Sequence, residues 1–154
     1  MDNEHKDAAD RYSDPSTSDL MDKLKDAKSA AQLDSYMESI NGKYSGKLSE
    51  YLRCMMDRKN VDTSWLVKNA YLERTYAYQI LNGKRNPTKD KIVMIALALE
   101  MSLIETQRAL EISHAGILYP KDERDSVLIY AVEHSLNIRD TNVLLSKYKM
   151  PELQ

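Results

Sequence analysis

The chain has one cysteine, Cys54, among its 154 residues, which excludes an intramolecular disulfide framework. No apolar run approaches the roughly 20 residues needed to span a bilayer. The opening stretch, MDNEHKDAADRYSDPSTSD, lacks the apolar centre of a secretory signal, so cytoplasmic residence is the default expectation. The four glycines, Gly42, Gly46, Gly83 and Gly116, stand apart from one another, so no loop resembles a phosphate cradle. The three histidines, His5, His114 and His134, share no metal-ligand spacing with Cys54, and the carboxylates are dispersed. These absences argue against an enzyme and against a metal or other cofactor. No stretch sustains period-two alternation, which leaves an all-α fold as the expectation.

With 42% hydrophobic residues, the chain can bury one sizeable core. Residues 1–17 are polar, rich in Asp and Ser and without periodic apolar positions, and read as a disordered leader. Residues 18–154 read as a single helical domain. The net charge of −2 is unevenly spread. Residues 1–46 carry 6 Lys and Arg against 10 Asp and Glu (−4), residues 47–105 carry 10 against 7 (+3), and residues 106–154 carry 6 against 7 (−1). Only the middle third is positive.

Helical periodicity recurs along this domain. Leu20, Met21, Leu24 and Ala27 follow a capping Ser18, and Leu33, Tyr36, Met37 and Ile40 form a second short stripe before NGKYSG breaks it. Leu48, Tyr51, Leu52, Met55 and Met56 make an apolar face of more than two turns. Thr88 can cap a helix facing inward through Ile92, Ile95, Ala96 and Leu99, and Ser102 with Glu105 has the capping-box pattern. Beyond Pro120, the reading places Val127, Tyr130, Ala131 and His134 on one face, then Thr141, Leu144, Leu145 and Tyr148 on the last helix, which Asn137 caps and Pro151 ends.

The densest signal is LVKNAYLERTYAYQILNGKRNPTKDK, residues 66–91. A first helix from Thr63 to Ala70, a connection at Tyr71 and Leu72, and a second helix from Glu73 to Leu81 outline a helix-turn-helix at about 63–82. Gly83 can accept the left-handed conformation that ends helices, Lys84 and Arg85 make a basic turn, and Pro87 prevents the helix from resuming.

Leu66, Ala70, Leu72, Arg74, Tyr76, Ile80, Asn82, Gly83, Lys84, Arg85, Asn86 and Pro87 together resemble the helix-turn-helix of the Cro/C1-type, XRE-like family of transcriptional regulators. The longer run over residues 33–154 is similar to a bacterial single-domain group with extra carboxy-terminal helices. The resemblance implies a lambda-repressor-like helical bundle with additional amino- and carboxy-terminal helices. It implies a sequence-specific binder of double-stranded DNA that places its second motif helix in the major groove. Base reading then falls on Arg74, Thr75, Tyr78 and Gln79: Arg suits guanine O6 and N7, Gln suits adenine N6 and N7, and Thr suits a thymine methyl. Phosphate contact falls on Thr63, Lys84 and Arg85, with Lys89 and Lys91 as additions. The sequence departs from the family at Tyr71, where Gly is usual, and at Val67, where Ala is usual. A reshaped turn with Tyr71 packed is the expectation, because a non-Gly residue in a left-handed turn costs about 1 kcal/mol or more.

Other readings of the same residues stand beside these. Arg74 also suits a solvated surface charge, Glu73 suits a helix amino terminus better than a base, and Tyr76 and Ile80 suit the core. Trp65 suits either the core or a contact surface, with burial favoured. The acidic total, Tyr71, and the aromatics Trp65 and Tyr78 suit a helical protein-interaction module that keeps the fold without binding DNA. The family resemblance also allows a homodimer through the helices after Ser102, and the amino- or carboxy-terminal helices are candidate docking surfaces for a protein partner.

Overall fold

The computed structural model describes residues 17–40 and 47–154. Its regular structure there is entirely helical: α1 (Thr17–Asp26), α2 (Ala30–Ile40), α3 (Leu48–Lys59), α4 (Thr63–Asn69), α5 (Arg74–Leu81), α6 (Lys89–Ala98), α7 (Leu103–Ile112), α8 (Glu123–Glu133) and α9 (Ile138–Lys147). The chain divides into two compact units, Met1–Gly46 and Lys47–Gln154, where the sequence reading has one domain from residue 18. Helices α1 and α2 pack on each other in the first unit, and no described side chain of either is buried. The leader up to residue 16 and the NGKYSG break lie outside the described residues. No described helix is long and apolar enough to cross a membrane.

The second unit is built around α6. Ile92, Val93, Met94, Ile95, Ala96 and Leu97 are consecutive and all buried, so the helix has no solvent face over this stretch. An amphipathic reading assigned it one apolar stripe, but a helix that is apolar all round belongs in the middle of a core. Helices α4, α7, α8 and α9 all pack on it. Helix α3 presents Leu48, Tyr51, Leu52, Met55 and Met56, all buried as the spacing predicts, and packs on α5 and α7. Capping follows the sequence closely: the Thr88, Asn137 and Asp122 side chains each accept an amide three residues on, and Ser102 with Glu105 forms the complete capping box. Buried hydroxyls of Thr106, Thr141 and Ser113 donate to carbonyls of their own helices, which removes the penalty of an unpaired polar group.

The last two helices are rotated relative to the sequence reading. The inward residues of α8 are Asp125, Leu128, Ala131 and Val132, and those of α9 are Ile138, Thr141 and Leu145. Tyr130 and Tyr148, which spacing places on the apolar faces, are exposed, and so is His134, for which a core or a surface role was open. Tyr130 and Tyr148 instead line an open groove of about 730 Å³ with Val127, Leu144 and Met150. Both helices carry apolar residues on two sides, and periodicity alone selected the side with the larger rings. Burial went to Leu128 and Leu145, which are fully enclosed.

Among the described residues, six helix ends place a non-glycine residue in the left-handed region: Asn60, Tyr71, Glu100, His114, Ser135 and Lys149. After Asn60, Glu100, His114, Ser135 and Lys149 the chain closes with the same pair of amide-to-carbonyl bonds, the signature of a Schellman motif. Gly83 ends α5 in the same way. A left-handed non-glycine residue costs roughly 1–2 kcal/mol, and here the bonds to orphan carbonyls offset it.

If α6 is the post of the core, Ile95→Ala lowers the unfolding free energy by about 2–5 kcal/mol. Ile104→Ala, at a side chain 77% exposed, stays within about 0.5 kcal/mol. Denaturant melts of both variants check the pair.

Candidate nucleic-acid interface

Helices α4 and α5 pack against each other through a turn at Ala70, Tyr71, Leu72 and Glu73. Leu66, Ala70 and Leu72 are buried beneath it, and Leu72 donates its amide to the Val67 carbonyl. Tyr71 has φ 53°, so it takes the left-handed conformation that glycine usually supplies. The backbone at this turn thus holds a tyrosine in the left-handed region. The phenol is not packed as expected, because Tyr71 is 65% exposed and borders a shallow groove with Met94, Ile138 and Val143.

Helix α5 divides cleanly. Ala77, Ile80 and Leu81 are buried, while Arg74, Thr75 and Tyr78 are exposed and Gln79 is half-buried. All four expected base readers thus lie off the buried side of one helix. The Arg74 guanidinium donates to the Ser64 hydroxyl at 3.1 Å, which ties the start of α5 to the start of α4. Glu73 precedes α5 without a side-chain cap bond and is exposed. Tyr76 is half-buried, and the Arg85 guanidinium sits over its ring at 5.4 Å, within cation-π range.

The basic turn is folded back on the same helix. The amides of Lys84 and Arg85 both donate to the Gln79 carbonyl, at 2.9 and 3.2 Å, which holds the two exposed cations against the last turn of α5. Pro87 is buried, and the Asn86 side chain donates to the Ser113 carbonyl at 2.6 Å, so the turn is anchored from beneath. Arg53 of α3 adds a cation that the sequence reading missed. Its guanidinium donates to the Leu81 carbonyl at 3.0 Å and to Asn82 Oδ1 at 3.4 Å, at the negative end of α5. Periodicity marks Arg53 as solvent-facing, but only tertiary packing brings it beside Asn82.

Three expected phosphate contacts fare differently. Lys91 is half-buried on α6 and enters no ion pair among the described residues. Thr63 opens α4 and is half-buried, and Asp62 caps that end by accepting the Trp65 amide at 2.8 Å, so a carboxylate already stands where an anion would dock. Lys89 points inward. Its ammonium pairs with buried Asp125 at 2.8 Å and donates to the Ile117 carbonyl at 3.2 Å. Removing it from that site would strand a buried carboxylate, so it is a structural cation. Trp65 is half-buried with the Lys59 ammonium 5.7 Å from its ring, between the two roles that the sequence allowed.

Two further ion pairs orient the helices behind this surface. Arg124 binds Asp90 in bidentate fashion at 2.8 and 2.9 Å and donates to the Pro151 and Glu152 carbonyls, clasping α6, α8 and the carboxy-terminal segment. Arg58 is bidentate to Glu105, joining α3 to the capping box of α7. Burial opposes ionisation of both carboxylates, yet the arginine hydrogen bonds prevail and hold Asp90 and Glu105 below the usual carboxylate range.

Comparison of the chain with protein-family models, with curated proteins and with solved structures finds no match.

Depressed carboxyl pKa values stabilise the fold when ionised. The contribution is full above the unfolded values of about 4 and is lost as pH falls through the lower folded values. Denaturant melts from pH 6 down to pH 3 should therefore show a shallower loss of stability in the Asp90→Asn, Glu105→Gln double variant than in the unmodified protein, beginning from a lower plateau.

Proposed function

We propose that the Lys47–Gln154 unit is a Cro/C1-type helix-turn-helix module that binds double-stranded DNA and serves as a transcriptional regulator. One observation carries the reading: the polar face of α5 is exposed alongside a basic turn whose two amides are pinned to the Gln79 carbonyl. The main chain that carries the two cations is thereby fastened to the helix that carries the groove-facing side chains. Arg74 and Gln79 supply bidentate geometry for guanine and adenine, Thr75 a methyl contact, and Tyr78 a flat ring with a polar tip. Lys84, Arg85 and Lys91 supply charge to the backbone, and Arg53 adds to them. The resemblance of residues 66–91 to the family supports the same assignment, as does the positive charge of residues 47–105.

A second reading rests on exposed aromatics at the same place. Tyr71 and Tyr78, the latter 44% exposed, would suit a protein-binding face. Salt separates the two, because counterion release makes DNA affinity fall linearly in log-log form with a slope set by the phosphates contacted.

Fluorescence anisotropy with mixed duplexes over a salt series makes the test. Arg74→Ala weakens the preferred duplex by about 1–3 kcal/mol and relaxes sequence choice. Lys84→Ala weakens all duplexes alike and lowers the salt slope by about 1. Lys89→Met leaves the salt slope unchanged and lowers thermal stability instead. Absence of duplex binding at low salt would sink the DNA reading and promote the protein-binding face.

A further inference from the structure

We propose that the carboxy-terminal strap, residues 150–154, is a self-ligand held in a peptide-binding slot between α6, α8 and α9, and that an extended, leucine-bearing segment of a partner protein takes its place. This inference stands apart from the DNA reading and needs neither its success nor its failure.

The strap has no regular structure, and side chains of three helices read its main chain. From α8, Arg124 donates to the Pro151 carbonyl at 3.1 Å and to the Glu152 carbonyl at 3.3 Å. On α9, Asn142 Oδ1 accepts the Leu153 amide at 2.8 Å, and on α6 the Asp90 carboxylate accepts the Gln154 amide at 3.3 Å. The Ser146 hydroxyl donates to the Glu152 carboxylate at 3.0 Å. Beyond the Met150 amide, which returns to the Leu145 carbonyl, every hydrogen bond of the strap among the described residues therefore runs to a side chain of the helical body. Extended peptides are gripped in this way: main-chain bonds give affinity, and a side-chain pocket gives specificity. Here the pocket takes Leu153, the strap's one buried side chain.

The slot is larger than the strap. Beside Leu153 it opens into a groove of about 380 Å³ walled by Met94, Ile138, Val143 and Tyr71, with Arg139 among its lining residues. Val143 is 62% exposed there and Tyr71 65%. The exposed Arg139 enters no ion pair among the described residues, so the groove favours an acidic ligand. A partner segment of the strap's own chemistry, an acidic residue before a leucine, with a further apolar side chain for the groove, uses the same bonds and covers surface that the strap leaves open. What it displaces is weakly held. One leucine, and bonds to side chains that are exposed or half-buried, put the strap at the low-stability end of the fold.

A fluorescein-labelled peptide of residues 148–154, YKMPELQ, tests this against the full chain by anisotropy. The Leu153→Ser chain has its pocket emptied in cis and binds the peptide. The unmodified chain binds it about tenfold more weakly or worse, because a strap closed about 90% of the time or more leaves only the remaining fraction competent. Adding Asn142→Ala to Leu153→Ser weakens the peptide, and a peptide with serine in place of its leucine binds neither chain. Far-UV circular dichroism shows that the variants keep the helical fold. The unmodified chain supplies a second readout that needs no variant: millimolar unlabelled peptide moves the backbone amide resonances of Leu153 and Gln154 towards unstructured positions and leaves that of Leu128 in place. Equal affinity for the Leu153→Ser and unmodified chains overturns the proposal, as does binding to neither. Leu153 and Gln154 resonances that stay put at millimolar peptide overturn it as well.

Discussion

Because residues 92–97 are all buried, α6 has no side that water can take, and every side must be covered by another helix. That requirement draws α4, α7, α8 and α9 around it. It also decides where the polar surface goes. Helix α4 seals one side of α6, α3 backs α5, and α5 is left with Ala77, Ile80 and Leu81 inward and Arg74, Thr75 and Tyr78 outward. The candidate interface is in this sense what remains when the apolar stretch 92–97 of α6 has been enclosed on every side.

The ion pairs act on top of this. Arg124 with Asp90, Arg58 with Glu105, and Lys89 with Asp125 join helix ends that the core has already brought near. An exposed ion pair contributes about 0–1 kcal/mol, against about 2–5 kcal/mol for one large core side chain, whereas breaking Lys89 with the buried Asp125 leaves an unpaired charge in the interior and costs more than an exposed pair. The division explains why the two lysines of α6 differ. Lys89 sits at the clasp and is consumed by it, whereas Lys91, two residues on, holds no ion pair among the described residues.

Much of the second unit was legible in the residues because its signals are local. The apolar spacing of Leu48 through Met56, the caps at Thr88, Ser102 and Asn137, and the stop at Gly83 each follow from side chains a few positions apart. What could not be read depends on distant partners. Helices α8 and α9 carry apolar residues on two sides, and the choice of Leu128 and Leu145 over Tyr130 and Tyr148 is made by neighbours far away in sequence. Lys89 reads as one cation among several until Asp125 meets it, and Arg53 reads as a surface residue until α5 ends beside it. Tyr71 shows a third kind of limit. The resemblance puts glycine where Tyr71 stands; Tyr71 takes the left-handed conformation, as five other non-glycine residues do at helix ends among the described residues, and its ring is exposed.

The proposed DNA-binding surface is the outer face of α5 with its basic turn, and α8 and α9 lie outside it. Backbone amide shifts of the full chain, followed by NMR as duplex DNA is added, address this most directly. The account predicts perturbations concentrated at residues 74–79 and 82–86, with those of α8 and α9 almost unmoved. Perturbations centred on α8 and α9, or no perturbation at low salt, would contradict it.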